Sequence, residues 1–492
     1  MTHNKIVQIF IVALVLLIGV WASITTVTLE FQLQIIALVC GVLITALVLI
    51  KWRLPVDYKF LCFILWGYAL AGKGFAYLTP FEPVYVGEIA LVLCALGLLL
   101  RIKRLRSFAD SPLIWLVFGW MVIVGLYLMV GFEEFRLNAI RDSVIGYYAL
   151  FTLAACVLFQ SEDLRVRFGG VLKFAMFLSF ISCFLVVSGI AENFIMPYPT
   201  LEHYFSPHPD AYIPLVVAGT TFAIISGLAR RSPLKLALGM LGIALLLLTK
   251  TAGIFCLLTT IIALTVFTRR IELLFVSVGT VMFAGLAIAI LIAADLSFIR
   301  ERVMQSDQIQ TLTDLGNTSG KGTDSTSDWR ITWWTIIVED TLKTNPVFGS
   351  GMGSDVTSGF IEAAYGKTEL SRVANYARYP HCILFNVFGR MGFVGLFFFL
   401  ILFTAVIFFS LRFASLYLWQ KEFDDGALIA FSIVFSGMMN GLVQATYEVP
   451  HGAILYWTCL GYLIAYHRAN FKPAAAWQPL RHASARFGAL DA

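Results

Sequence analysis

Apolar runs about as long as a membrane is thick recur along nearly the whole chain. A helix needs about 20 such residues to cross the hydrocarbon core. Of the 492 residues, 59% are hydrophobic and 13% are charged, whereas soluble proteins carry about 25% charged residues. The sequence therefore predicts an all-α, polytopic transmembrane bundle of about 14 spans. The predicted spans are 6–22, 33–50, 60–78, 84–100, 112–130, 143–159, 170–190, 211–228, 234–248, 251–267, 272–294, 382–409, 426–442 and 450–466.

One long polar segment, 295–380, interrupts this pattern between the last-but-three and last-but-two spans. It divides the chain into a transmembrane bundle at 1–294, a loop at 295–380, C-terminal spans at 381–466 and a tail at 467–492. Within the loop, Asp328 is typical of a helix N-cap, and Asn345-Pro346 is typical of a helix end. The loop is thus expected to contain helical structure of its own.

The distribution of lysine and arginine predicts which side of the membrane this loop occupies. With the amino terminus inside, the short external segments hold only Arg136, Arg141 and Lys250, and the remaining basic residues outside the long loop fall mainly in cytoplasmic segments. Positive charge favours the cytoplasmic side. We expect both termini in the cytoplasm and the loop outside, which is the periplasm of a Gram-negative host. The expected location is the bacterial inner membrane.

The sequence contains no clear motif for a disulfide, a metal site or a phosphate-binding loop. The eight cysteines lie in or beside apolar spans without a Cys-x-x-Cys pair, as expected of small buried hydrophobes. No Asp-x-Asp pair and no zinc-type His/Cys spacing occur, so we predict no metal and no cofactor. The segment from Gly316 to Thr323 has the wrong spacing for a phosphate-binding loop, and no strand precedes it. Nucleic acid is not an expected partner.

Four charged or titratable residues stand out on the predicted external side. Arg141 and Lys250 are candidate anion contacts, although an interfacial arginine also commonly snorkels. Arg330 lies in a tryptophan-rich helix, where it either binds an anion or stacks on Trp333 or Trp334. His381 lies where the loop returns to the membrane. It is a candidate base near neutral pH, or an anchor that caps the next helix.

A glycine-rich turn completes the set of candidate features. It reads Pro346-Val-Phe-Gly349-Ser-Gly351-Met-Gly353. Glycines allow backbone conformations that other residues avoid. Such a turn is expected to bring backbone amides close to an anion.

These segments together resemble the O-antigen ligase and polysaccharide polymerase superfamily. The resemblance rests on Asp328-Trp-Arg330-Ile-Thr-Trp-Trp334, on the glycine turn, and on His381-Cys-Ile-Leu-Phe385 followed by Gly392-Phe-Val-Gly395. The match covers Trp329 to Leu396. Three features depart from the family pattern: Cys382 follows the histidine, Arg390 replaces a common glutamate, and Thr251-Ala252 replaces a Ser-Arg pair.

The resemblance implies an inverting, metal-independent glycosyl transfer from a glycan on undecaprenyl diphosphate. It implies His381 as the catalytic residue and Arg330, Arg141 and Lys250 as contacts to the donor diphosphate. Trp334, Gly349, Gly351 and Gly353 are the implied supporting loop. The expected partners are the lipid-linked donor, a glycan acceptor and membrane lipids, with a chain-length regulator or other assembly proteins as compatible partners.

Three functions stay open at this point. The preferred one is a polymerase that joins lipid-linked repeat units of an exopolysaccharide or O-antigen. The nearest alternative is the ligase that transfers finished O-antigen to lipid A–core in lipopolysaccharide biosynthesis. The second alternative is a flippase for lipid-linked oligosaccharides, which would need charged residues within its spans. If His381 is an anchor, the base is sought among Asp328, His203, His208 and Asp210.

Overall fold

A computed structural model gives the fold, and it describes residues 54–76, 84–187, 209–249, 251–268, 275, 278–279, 282, 328–360, 379–418 and 423–470. Across these residues the chain is helical and contains no strand, which confirms the predicted all-α class. The seven cysteines in the described segments are buried and form no disulfide. Their burial agrees with the prediction that they act as small hydrophobes.

The structure contains sixteen α-helices within the described residues, numbered here in chain order. A 3₁₀ turn at Arg106–Phe108 follows α4, and a π-helical turn at Ala414–Leu418 follows α14. The helices are α1 Val56–Ala71, α2 Lys73–Ala76, α3 Val86–Leu100, α4 Ile102–Leu105, α5 Pro112–Phe135, α6 Leu137–Asp142, α7 Val144–Tyr147, α8 Leu150–Leu158, α9 Glu162–Val187, α10 Pro209–Ala229, α11 Pro233–Thr249, α12 Thr251–Thr268, α13 Asp328–Thr344, α14 Ile383–Phe413, α15 Asp425–Gly441 and α16 Pro450–Asn470.

Several helices have the length and composition of membrane spans. Three described stretches qualify alone: Pro112–Phe135, Glu162–Leu185 and Ile383–Leu418. The bent pair Leu137–Tyr147 and Leu150–Leu158 makes a fourth if it counts as one span. Val86–Leu100, Ile213–Ala229, Pro233–Leu247 and Ala252–Thr268 are shorter apolar helices. The protein is therefore a helical membrane protein, while the total of about 14 spans stays a prediction.

Neighbouring helices run in opposite directions, so the bundle has two distinct ends. At one end, Arg101 after α3 binds Asp57 at the start of α1, with Nη1 to Oδ2 at 2.6 Å. At the other end, Tyr68 near the end of α1 lies against Gly87 near the start of α3. We name the second end the motif end, because the glycine turn, α6 and the starts of α14 and α16 also lie there. The first is the opposite end.

Close packing of small residues and buried hydrogen bonds joins the helices. Gly461 of α16 lies directly on the carbonyl of Thr152 in α8, and the Thr152 hydroxyl donates to the Trp457 carbonyl at 2.9 Å. The Trp120 indole of α5 donates to the Ile145 carbonyl at 2.8 Å. Small residues let helix backbones approach closely in membranes. These contacts fix α5, α7, α8 and α16 relative to one another.

Candidate functional site

Helix α13 is tied to the chain around His381 by two tryptophans. Trp334 Nε1 donates to the Pro380 carbonyl at 2.7 Å, and its ring stacks on Phe385 at 4.8 Å between centroids. Trp333 is buried, and its Nε1 donates to the Val356 carbonyl at 2.9 Å. Buried indole N–H groups normally find an acceptor. The two tryptophans therefore hold α13 against both the start of α14 and the segment after the glycine turn.

His381 occupies an unusual backbone position directly before α14. Its φ is +52°, a left-handed conformation that is uncommon outside glycine and in which asparagine, aspartate and histidine are enriched. The side chain is half-buried, and its ring lies edge-on to Trp333 at 6.4 Å between centroids. The N-cap position of α14 is Cys382, whose side chain makes no capping hydrogen bond. The backbone of His381 places its imidazole beside α13.

Arg330 lies on the same face of α13, one turn before Trp333. It is half-buried, and Trp333, one turn later on the same helix, lies edge-on to the His381 ring. Two candidate residues from distant parts of the motif, Arg330 and His381, are therefore both placed near Trp333 at the start of α14. The tryptophan contacts are the reason for this placement.

The glycine turn packs into a break in α14. Gly349, Gly351 and Gly353 have φ values of +73°, +93° and +95°. A Cβ on Gly349 would lie 2.5 Å from the Arg390 carbonyl carbon, and one on Gly353 would lie 2.7 Å from the Ala139 nitrogen. Only glycine fits both the conformation and the space. The turn is thus wedged between α14 and α6.

Backbone hydrogen bonds join the turn to the broken helix. Gly392 has a φ of +60° and interrupts α14. The backbone groups around this break are satisfied by the turn: Ser350 N to Gly389 O at 2.9 Å, Gly351 N to Arg390 O at 2.9 Å, Phe393 N to Pro346 O at 2.8 Å, and Val394 N to Val347 O at 3.1 Å. Buried backbone groups must be paired in a membrane protein. The N–H groups of Ser350 and Gly351 are used here, so the turn acts as a packing element at these positions, not as an anion nest.

A buried polar network lies beneath the turn and centres on Arg390. Its guanidinium is 1% exposed and pairs with Asp142, which is 0% exposed. Nη1 also donates to the Ser354 carbonyl at 2.8 Å, and Nε donates to Asn386 Oδ1 at 2.8 Å. Asn386 Nδ2 in turn donates to Glu448 Oε1 at 3.3 Å. The network connects α6, the glycine turn, α14 and the segment before α16.

Arg141 lies at the edge of this network. Arg141 is exposed at the end of α6, whereas its neighbour Asp142 faces the interior. Asp142 pairs with Arg390 of α14, the helix that begins two residues after His381. The structure therefore places Arg141 at the same end of the bundle as Arg330 and His381.

The remaining candidates cannot be placed relative to the site. Lys250, His203 and His208 lie outside the described residues, and for Asp210 and Asp328 only the helical backbone is described. Within the described segments, no group of three or more His, Cys, Asp or Glu side chains has an arrangement that would hold a metal ion.

Arg390, Asp142, Asn386 and Glu448 were missed as functional candidates by sequence reasoning. The sequence did contain a signal, because a charged residue within an apolar span is a functional-site hypothesis by default. Arg390 was noted only as a departure from a family glutamate. Its partner Asp142 explains the departure, since a glutamate at 390 would place two carboxylates together in a buried site.

Comparison with known proteins supports the resemblance. A family model described as O-antigen ligase matches residues 213–400. This region includes Arg330, the glycine turn, His381 and Arg390, whereas Arg141 and Asp142 lie before it. A search of curated proteins gave no match. The resemblance to the O-antigen ligase and polysaccharide polymerase superfamily is confirmed by the family match.

Proposed function

We propose that this chain, whose residues 213–400 match the O-antigen ligase family, polymerises lipid-linked glycan repeat units. The family match supports glycan transfer of the ligase and polymerase type by a bacterial membrane protein. We further propose that the donor is a repeat unit on undecaprenyl diphosphate. The units are joined at the outer face of the inner membrane. The product is an exopolysaccharide or O-antigen.

The proposed reaction needs a base and cations at one place. The acceptor hydroxyl attacks the anomeric carbon of the donor from the face opposite the diphosphate, so the configuration inverts. A new carbon–oxygen bond forms while the bond to the diphosphate oxygen breaks with its electron pair. His381 takes the hydroxyl proton. Arg330, Arg141 and Lys250 stabilise the charge that develops on the leaving diphosphate.

The observation that supports the proposal is that one helix, α13, carries Arg330 and also contacts the segment around His381. Trp334 Nε1 donates to the carbonyl before His381 at 2.7 Å, and Trp333 lies edge-on to the imidazole at 6.4 Å. A guanidinium and an imidazole held by the same helix suit a reaction that needs an anion contact and a proton acceptor together. The helical bundle around them suits a lipid-bound donor.

A ligase is the second candidate, because the matched family is described as O-antigen ligase. Its reaction at the donor would be the same, and the acceptor would be lipid A–core instead of a growing glycan. Glycan analysis of a deletion strain separates the candidates. Single repeat units left on the cell surface glycolipid indicate a polymerase. Finished polymer retained on undecaprenyl diphosphate indicates a ligase.

The flippase alternative predicts a third outcome, in which lipid-linked units accumulate only on the inner leaflet. Arg390 is a charged residue within a span, the feature expected of a flippase. It is, however, paired with Asp142 and bonded to Ser354 and Asn386. A charged side chain that is already paired in the protein interior suits a structural role better than contact with a transported substrate.

Orientation is tested separately by thiol labelling. Single cysteines at positions 319 and 484 would be probed with an impermeant reagent in intact spheroplasts. The proposal expects labelling at 319, in the long loop, and protection at 484, in the tail. The reverse labelling pattern would place the loop in the cytoplasm and would contradict a reaction on the periplasmic side.

Purified protein tests the reaction directly. The protein in detergent would receive lipid-linked repeat units, with and without excess EDTA. Release of undecaprenyl diphosphate together with longer glycan, unchanged by EDTA, is the expected result. Product loss on chelation that magnesium or manganese restores would contradict the metal-independent step, and absence of any transfer would contradict the proposed activity.

A further inference from the structure

Outside the residues already assigned, the motif end holds a cluster of aromatic and acidic side chains from three helices and from the turn after α7. Glu88 is in the first turn of α3, Tyr68 is near the end of α1, Tyr148 follows α7, and His451 is in the first turn of α16. We propose that this cluster is a sugar-binding subsite. It would hold a glycan ring next to the diphosphate position. This inference rests on the proposed glycan transfer.

The cluster is closely packed around Gly87. A Cβ built on Gly87 would lie 2.9 Å from the Tyr68 hydroxyl and 3.1 Å from the Tyr148 hydroxyl. The Tyr148 hydroxyl donates to Glu88 Oε1 at 2.8 Å. The ring of His451 lies edge-on to Tyr68 at 6.3 Å between centroids. The absence of a side chain at Gly87 therefore lets the two hydroxyls converge beside the carboxylate.

Two polar atoms of this cluster are unused within the described part of the protein. The second carboxylate oxygen of Glu88, Oε2, and the hydroxyl of Tyr68 are buried and make no hydrogen bond there. Tyr68 is only 2% exposed. Buried polar groups are normally hydrogen-bonded, and an exception needs an explanation. A ligand that both donates and accepts hydrogen bonds would supply the missing partners.

The chemistry of the cluster selects a sugar over the other parts of the substrate. A carboxylate accepts hydrogen bonds from sugar hydroxyls, and a tyrosine hydroxyl either donates or accepts. Tyrosine and histidine rings offer apolar faces and edges for the C–H surfaces of a sugar ring. The negative charge of Glu88 disfavours a diphosphate, and the isoprenoid chain would leave the polar atoms without partners.

The position of the cluster connects it to the proposed reaction. Tyr147 lies against Tyr148, with ring centroids 4.9 Å apart. Tyr148 donates to Glu88, and α7, which ends at Tyr147, follows one residue after α6, which contains Arg141. A diphosphate beside Arg141 would therefore have its attached sugar near Glu88. Both the first sugar of the donor and the terminal sugar of the acceptor share the required chemistry.

The Tyr68→Phe variant tests the subsite without removing an internal hydrogen bond. The purified variant should fold normally, because the deleted hydroxyl makes no hydrogen bond within the described structure. We expect a KM about three- to tenfold higher for one glycan substrate, with kcat unchanged. Glu88→Gln should raise the same KM about ten- to hundredfold. Tyr58→Phe removes a hydroxyl from the far end of the same helix and is the matched control.

A second measurement separates the sugar from the diphosphate. Undecaprenyl diphosphate without a glycan would be used as a competitive inhibitor. Its inhibition constant should stay at the wild-type value in Tyr68→Phe and Glu88→Gln, and should rise in Arg330→Ala. A raised KM for the donor assigns the subsite to the donor sugar, and a raised KM for the acceptor assigns it to the acceptor sugar.

Failure of the subsite is distinguishable from failure of the proposed function. If wild-type protein transfers glycan and Tyr68→Phe has unchanged KM values, the subsite is refuted while the function stands. A loss of folded Tyr68→Phe protein would show that the hydroxyl is structural, which also refutes it. If wild-type protein neither transfers glycan nor binds the lipid diphosphate, the proposed function fails.

Discussion

The two ends of the bundle differ in how far most of their ion pairs are exposed, although Arg101 and Asp57 at the opposite end are only 25% and 6% exposed. At the opposite end, the pair of Arg468 and Asp110 is 44% and 66% exposed, and Asp425 joins Lys173 and Arg230 with both basic side chains largely exposed. At the motif end, Arg390 and Asp142 are 1% and 0% exposed. The first set lies at the surface of the bundle, while the second pair lies inside it.

We expect substitutions in the exposed ion pairs to cost little stability and substitutions in the buried pair to cost much more. An exposed ion pair contributes little because water screens it and the side chains lose entropy. A buried pair is costly to break because the remaining charge is left in surroundings of low polarity. The buried network at the motif end joins α6, the glycine turn and α14, the helix that begins two residues after His381. Rigid support is what a positioned base and anion contact need.

Removal of one partner of the buried pair should have the largest effect. Arg390→Met leaves Asp142 without its ion pair, and breaking such a pair costs about 3–5 kcal/mol. We expect most of the protein to be lost from the membrane or to elute as aggregate in fluorescence-detected size-exclusion chromatography. The double variant Arg390→Met/Asp142→Asn should recover much of the folded fraction, because no charge is then left unpaired.

The double variant also tests whether the buried network at the motif end supports glycan transfer as well as folding. If it folds, it should still transfer glycan poorly, since the turn at Ser354 and the Glu448 segment have lost their common contact. A folded Arg390→Met variant with normal activity would show that the network is not the framework of the site.

Substitution in the glycine turn should have the next largest effect. Gly349→Ala places a Cβ 2.5 Å from the Arg390 backbone at a φ of +73°, and strain of this kind costs about 1–3 kcal/mol. A lower thermal midpoint in detergent is expected, together with reduced transfer. Gly125→Ala in α5 is the control, since a Cβ there meets nothing within 4 Å and alanine favours a helix. Equal loss in both variants would contradict the packing role of the turn.

Arg330→Lys should leave the fold intact and reduce transfer about ten- to hundredfold, the range expected for a hydrogen bond to a charged group. A guanidinium grips two phosphate oxygens at once, whereas an ammonium is a point charge. Polymer formation would be measured at equal protein levels beside Arg330→Ala. Full activity in the lysine variant would show that only the charge of Arg330 matters.

The exposed pair at the opposite end should give the smallest effect. Arg468 holds the pKa of Asp110 below its ordinary value, mainly through their hydrogen bond. The lowered pKa contributes stability above the ordinary carboxyl range, and this stability is lost as pH falls through the pKa of the folded state. Because both groups are exposed to water, this contribution is small, and Asp110→Asn should change the thermal midpoint little at neutral pH. A large loss there would overturn the contrast between the two ends.

The sequence was sufficient to predict the helical class, the helix beginning near Asp328 and the candidates Arg330 and His381. These features rest on local signals, namely apolar period, capping and the spacing of family motifs. The pairing of Arg390 with Asp142 joins residues far apart in the chain, and no local signal specifies such a contact. The Trp334 hydrogen bond to the carbonyl before His381 also joins residues far apart in the chain, and no local signal specifies it.

The glycine turn is a second example of contacts that the local sequence did not predict. Its glycines correctly indicated an unusual backbone, but the sequence suggested an anion nest. The break at Gly392 supplies free backbone groups nearby, and these take the N–H groups of Ser350 and Gly351. Two glycine-containing segments were each visible in the sequence, whereas their mutual hydrogen bonding was not.

The central claim is that the motif end positions His381 as the base for glycan transfer. His381→Asn tests it most directly, because asparagine tolerates the left-handed backbone at this position but takes up no proton at neutral pH. The variant should insert normally, bind the lipid-linked donor as wild type does, and lose about 10²–10⁴-fold of its single-turnover rate. Donor binding with a near wild-type rate would contradict the account and make His381 a structural residue.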